Sequence, residues 1–155
     1  MRNWNVVEYV LIAVIFWCFI KAMLEDARWQ RVHRYLWWIS GTAGLGLLFL
    51  HWEIFLHAAG DLVFFAMVQF FLFSKLYGRA DCHAFQVCSM VLGAYGGTLK
   101  IYLFHMLFTI IMLGLVQICR RNVNQKGDLK EPVALLPYLM PAFFLTWGSL
   151  VTMNR

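Results

Sequence analysis

Charge is what this chain has least of. Asp, Glu, Lys and Arg make up 14% of its 155 residues, against 62% hydrophobic and 17% aromatic, and the mean hydropathy is +0.67. A soluble core of this length cannot use so much apolar side chain, so composition excludes a soluble domain and points to an integral membrane protein of one domain, residues 1–155. The four cysteines, Cys18, Cys82, Cys88 and Cys119, have neither CxxC nor zinc-site spacing, which leaves reduced thiols packed as small apolar residues. No internal repeat or low-complexity segment is present. The first apolar run is preceded only by Arg2 and shows no small-residue cleavage site, so it reads as a retained anchor.

A membrane-spanning helix needs about 20 mainly apolar residues. Windows of that kind predict an all-α, polytopic protein with six transmembrane helices, at 4–23, 35–51, 56–77, 84–98, 100–119 and 133–153. The division between the fourth and fifth rests on Gly96, Gly97 and Lys100, because the 36 residues from Ala84 to Cys119 are too long for one crossing. Trp37, Trp38, Trp52, Tyr77, Tyr95, Tyr102 and Tyr138 lie near predicted helix ends and are expected at headgroup level. Gly93 and Gly97 have the spacing that lets a neighbouring helix pack closely.

Orientation follows from the basic residues. Lys21, Arg28, Arg31, Arg34, Lys75, Arg79, Arg120, Arg121, Lys126 and Lys130, ten of the thirteen, fall at the odd-numbered loops. Cytoplasmic loops retain Lys and Arg, so both termini are expected on the non-cytosolic side. The net charge of +5 needs no nucleic-acid partner, since this rule and contact with anionic membrane lipids account for it.

Two carboxylates then stand out. Asp26 and Asp81 lie just beyond apolar runs, both on the expected cytosolic side. A carboxylate at a membrane boundary is costly unless it has a task. Asp26 is followed by Ala27, Arg28, Trp29, Gln30, Arg31, Val32, His33 and Arg34; Asp81 stands in Tyr77, Gly78, Arg79, Ala80, Asp81, Cys82, His83, Ala84, Phe85. The first segment resembles the Asp, hydrophobic, Arg, x, x, Arg stretch after the first helix of type IV prepilin peptidases, and the second resembles their GxGD motif. Pro132, Val133, Ala134, Pro137, Tyr138, Leu139 and Pro141 resemble the family's Pro-rich start of its final span. The matches cover nearly the whole chain in order. Ala80 stands where the motif has its second glycine, His83 where a lysine is usual and His33 where a proline is usual.

The resemblance implies an aspartic-type endopeptidase of the bacterial cytoplasmic membrane. It would cleave the short basic leader from pilin-like or pseudopilin precursors of pilus, secretion or competence systems, with Asp26 and Asp81 as the catalytic pair and Gly78, Arg79 and Ala80 as the surrounding motif. It implies no metal and no organic cofactor. The resemblance is to the short form without the amino-terminal methylating region, which implies cleavage without methylation. Two carboxylates suit this chemistry because like charges at close range share one proton, leaving one group as base and the other as acid.

Other ionisable residues have simpler readings. Asp61, inside the third span, is expected to make a structural hydrogen bond or reach the outer interface. Glu25, Asp128 and Glu131 are expected as solvated loop charges, with attraction of a basic leader as the functional alternative. His51, His57 and His105 open a haem-binding alternative. A third class is a non-enzymatic assembly or transport subunit on the same scaffold.

Overall fold

The computed structural model describes residues 6–29, 31–71, 79–123 and 135–153, and every element among them is helical. The helices are α1 (Val6–Trp29), α2 (Arg34–Leu50), α3 (Trp52–Phe71), α4 (Arg79–Ala94), α5 (Leu99–Val123) and α6 (Leu136–Met153). Three segments, α1, α3 and Leu99–Cys119 of α5, are long and apolar enough to cross a membrane. With 24 residues α1 reaches about 36 Å, beyond a hydrocarbon layer of about 30 Å. The 17 residues of α2 and 16 of α4 reach only about 24–26 Å. Among the described residues the expectation of six helices therefore holds as helices, while length and composition support three of them as spans.

Successive helices run in opposite directions, as contacts along their lengths establish. Down the α1 and α2 pair, the Phe19 and Trp37 rings meet edge-on at 5.8 Å at one end, and Glu8 meets His51 at the other. Between α3 and α4, Cys82 Sγ lies 3.8 Å from the Gln69 carbonyl at the first end, while Leu62 approaches Gly93 near the second. On α6, Phe144 stacks on Phe16 of α1 at 4.8 Å, Phe143 meets Phe16 and His105 edge-on, and Trp147 meets Tyr95. The ends of α1 and α3 consequently share one end of the bundle with the starts of α2, α4 and α6. We term this the aspartate end.

The core explains which helix faces turn inward. Leu36, Leu47, Phe65, Phe85, Leu92, Tyr102 and Leu139 are fully enclosed, and α4 buries ten of its residues while α3 buries four. Thus α4 is the central helix and α3 a peripheral one. Large apolar side chains such as Trp17, Val63, Phe70 and Phe104 remain more than half exposed, as suits helices whose outer faces meet lipid. Gly93 permits close packing, because a Cβ there would lie 3.0 Å from Tyr102 Oη.

The turn from α4 to α5 falls where the glycines placed it. Gly96 has φ of 83°, in the left-handed region that favours glycine, and Gly97 donates its N–H to Leu92 O at 2.8 Å. Gly97 thus serves the turn rather than the face of α4: a Cβ there would lie 2.7 Å from Leu92 O. Lys100 is already inside α5. Tyr95 and Tyr102, expected at headgroup level, are instead buried at 2% and 0%, because each phenol has an internal acceptor: Glu8 for Tyr95 and the Gly97 carbonyl, at 2.8 Å, for Tyr102. Tyr77 lies outside the described residues.

Candidate functional site

Asp26 stands in the last turn of α1, partly buried. Its Oδ2 accepts the Leu136 N–H at 3.4 Å, where α6 begins. That is long for a hydrogen bond, but it sets a carboxylate against the positive end of a helix. Glu25, its neighbour, takes a different direction. Its Oε2 accepts the His33 backbone N–H at 3.0 Å and lies 3.0 Å from His33 Nδ1, so it ties down the turn between α1 and α2. At 5% exposure Glu25 is buried, which corrects the expectation of a solvated loop charge. Asp128 and Glu131 lie outside the described residues.

Asp81 is the third residue of α4, in the first turn, where a carboxylate is also favoured by the helix dipole. Gly78 lies outside the described residues. Arg79 is exposed, and Ala80 is partly buried against the core. Ala80 is helical, a conformation that an L side chain adopts without strain, so alanine meets no backbone penalty there. The structure brings Asp26 and Asp81 to the same end of the bundle. The ring series Phe19, Trp37, His83 links α1 to α4 there, with centroids 5.8 and 6.5 Å apart.

Next to Asp81 in sequence, Arg79, Ala80 and His83 line a cleft of about 560 Å³ with Val32, Arg34, Trp37 and Trp38. Neither aspartate is among its lining residues. A volume of that size admits an extended peptide segment or a polar headgroup.

The other singled-out residues are accounted for structurally. Asp61 Oδ2 accepts the Leu99 N–H at 2.8 Å and so caps the start of α5, the structural hydrogen bond expected of it. Cys18, Cys82 and Cys88 are buried free thiols, whereas Cys119 is an exposed one. His57 is exposed, His105 is enclosed by Phe85 and Phe143 with Nε2 3.5 Å from the Leu139 carbonyl, and His51 is held by Glu8. Among the described residues no group of three or more His, Cys, Asp or Glu side chains is arranged to hold a metal ion.

Sequence reasoning missed one cluster. At the far end from the aspartates, Glu8 Oε1 accepts the Tyr95 hydroxyl at 2.6 Å and lies 2.9 Å from His51 Nε2, joining α1, α2 and the end of α4. Glu8 is 2% exposed. The signal was present: an acidic residue within the first apolar run needs a buried partner. Compared with protein-family models, with curated proteins and with solved structures, the chain matches none.

Proposed function

We propose that this chain is a membrane aspartyl endopeptidase of the prepilin-peptidase type, with Asp26 and Asp81 as its catalytic pair. It cuts the short basic leader from pilin-like or pseudopilin precursors at the cytosolic face of a bacterial membrane. The observation that carries this reading is the shared end: the one carboxylate in the last turn of α1 and the one in the first turn of α4 lie at the same end of an antiparallel bundle. In this reading all six helices are embedded, the shorter α2 and α4 among their neighbours, and both termini are non-cytosolic.

The chemistry follows from two carboxyls that share a proton. The ionised one removes a proton from water as the water oxygen bonds to the scissile carbonyl carbon. The protonated one donates to the carbonyl oxygen, and collapse of the resulting diol passes a proton to the departing nitrogen as the C–N bond breaks. Partial burial favours retention of one proton by the pair.

The alternative, an assembly subunit without activity, draws on the contact between Asp26 and Leu136, which gives this aspartate a structural use. Asn separates the two readings, because its amide oxygen still accepts the Leu136 N–H while it cannot serve as base or acid. Wild type, Asp26→Asn and Asp81→Asn are co-expressed with a pilin-like precursor and the precursor mass is measured. Leader loss with wild type alone supports the peptidase; uncut precursor with folded, membrane-inserted wild type favours the assembly subunit.

A further inference from the structure

Arg34 opens α2, Arg79 opens α4, and His83 follows Arg79 by one helical turn; all three line the cleft of about 560 Å³. Among the described residues that line it none is acidic. Of the two carboxylates near the end of α1, Glu25 is engaged by His33 and Asp26 faces the Leu136 N–H. The N-cap of α2, His33, makes no side-chain capping bond and the first turn of α2 has no acidic residue; the Glu25 carboxylate meets that helix end at the His33 N–H and is not among the described residues lining the cleft. Trp37 adds an independent observation: it lines the same cleft, is only 9% exposed, and its buried indole Nε1 has no hydrogen-bond partner. A buried donor of this kind calls for an acceptor.

The depth of the cleft identifies the acceptor. Because α1 exceeds the hydrocarbon thickness and the connection to α2 is short, the start of α2 lies at headgroup level. Trp38, one turn beyond Arg34 and 75% exposed, is placed for the aromatic belt of the interface. A cationic cleft repels a basic leader and attracts a phosphate.

We propose that the cleft between the first turns of α2 and α4 seats the phosphate of an anionic phospholipid headgroup, held by Arg34, Arg79 and His83 with Trp37 Nε1 as a neutral donor. The proposal rests on the membrane placement of the helices and stands apart from the aspartate pair.

Native mass spectrometry of the full chain, with equimolar phosphatidylglycerol and phosphatidylcholine, tests it. Phosphatidylglycerol is expected to be retained preferentially, and Arg34→Gln or Arg79→Gln each to lower that preference roughly fivefold, the scale for one basic residue at an anionic surface. Arg34→Lys keeps most of it. Trp37→Phe lowers it without any change of charge, whereas Arg28→Gln, exposed on α1 and outside the cleft, leaves it intact. Equal retention of the two lipids overturns the proposal, as does an Arg28→Gln effect equal to that of Arg34→Gln. Binding of inorganic phosphate with no preference between lipids also overturns it, assigning the cleft to a free anion.

Discussion

At the end where α1 begins, polar groups are closed upon one another: Glu8 takes the Tyr95 hydroxyl at 2.6 Å, Asp61 takes the Leu99 N–H at 2.8 Å, and Tyr102 donates to Gly97 O at 2.8 Å. At the opposite end Asp26 meets Leu136 N at 3.4 Å, and an open cleft lies between α2 and α4. Both ends contain carboxylates, but they are used differently. One end commits its acids to tight contacts; at the other Glu25 ties the turn between α1 and α2, while Asp26 is held loosely. A bundle anchored firmly at one end tolerates a polar, open arrangement at the other.

The largest effect should come from removing a carboxylate at the open end. Asp26→Asn and Asp81→Asn are each expected to lower precursor cleavage by about 10²–10⁴-fold, the scale of general acid–base catalysis, with little change in thermal unfolding. Survival of cleavage in either variant would remove the pair from the mechanism and leave both ends structural.

A change at the closed end should do the reverse. Glu8→Ala leaves the Tyr95 hydroxyl and His51 ring without their shared acceptor and is expected to destabilise the fold by about 2 kcal/mol, read by denaturant unfolding in micelles. Glu8→Gln should lose less, since an amide oxygen still accepts. If Glu8→Ala unfolds like wild type yet no longer cleaves, the contrast between the ends fails. Asp61→Ala, which removes the cap of α5, is expected to be milder, about 1 kcal/mol, with Asp61→Asn close to wild type.

What the sequence disclosed about each end follows from the range of the signals involved. Gly96 and Gly97 announce their turn locally, through a backbone conformation that favours glycine, so the break between α4 and α5 was readable. The apolar runs of α1, α3 and α5 were readable from local composition, but α1 continues past the expected end at 23 to Trp29, so that Glu25 and Asp26 are helical, and α3 begins at Trp52 and not at 56. Glu25 was misread because its partner His33 meets it only once the chain has folded back, and no periodicity reports that. The contact of Glu8 with Tyr95 spans 87 positions, so its geometry was beyond reach even though an acid within an apolar run announced that some partner must exist. The cleft was likewise invisible, since Arg34 and Arg79 open different helices and come to line one cleft only through the packing of α2 on α4.

Ala80 provides the finest test of the contrast. The resemblance places a glycine here, and glycine is usually explained by a backbone that other residues resist. The structure removes that explanation, because Ala80 is helical within the first turn of α4 and its methyl packs against the core. Ala80→Gly should therefore destabilise slightly, by about 0.5–1 kcal/mol, through added freedom of the unfolded chain and a lost contact. Cleavage should persist at the wild-type order of magnitude, because neither carboxylate is altered. A gain in cleavage of tenfold or more would mean that this end works in a backbone arrangement other than the helical one, with the first turn of α4 opening to admit substrate.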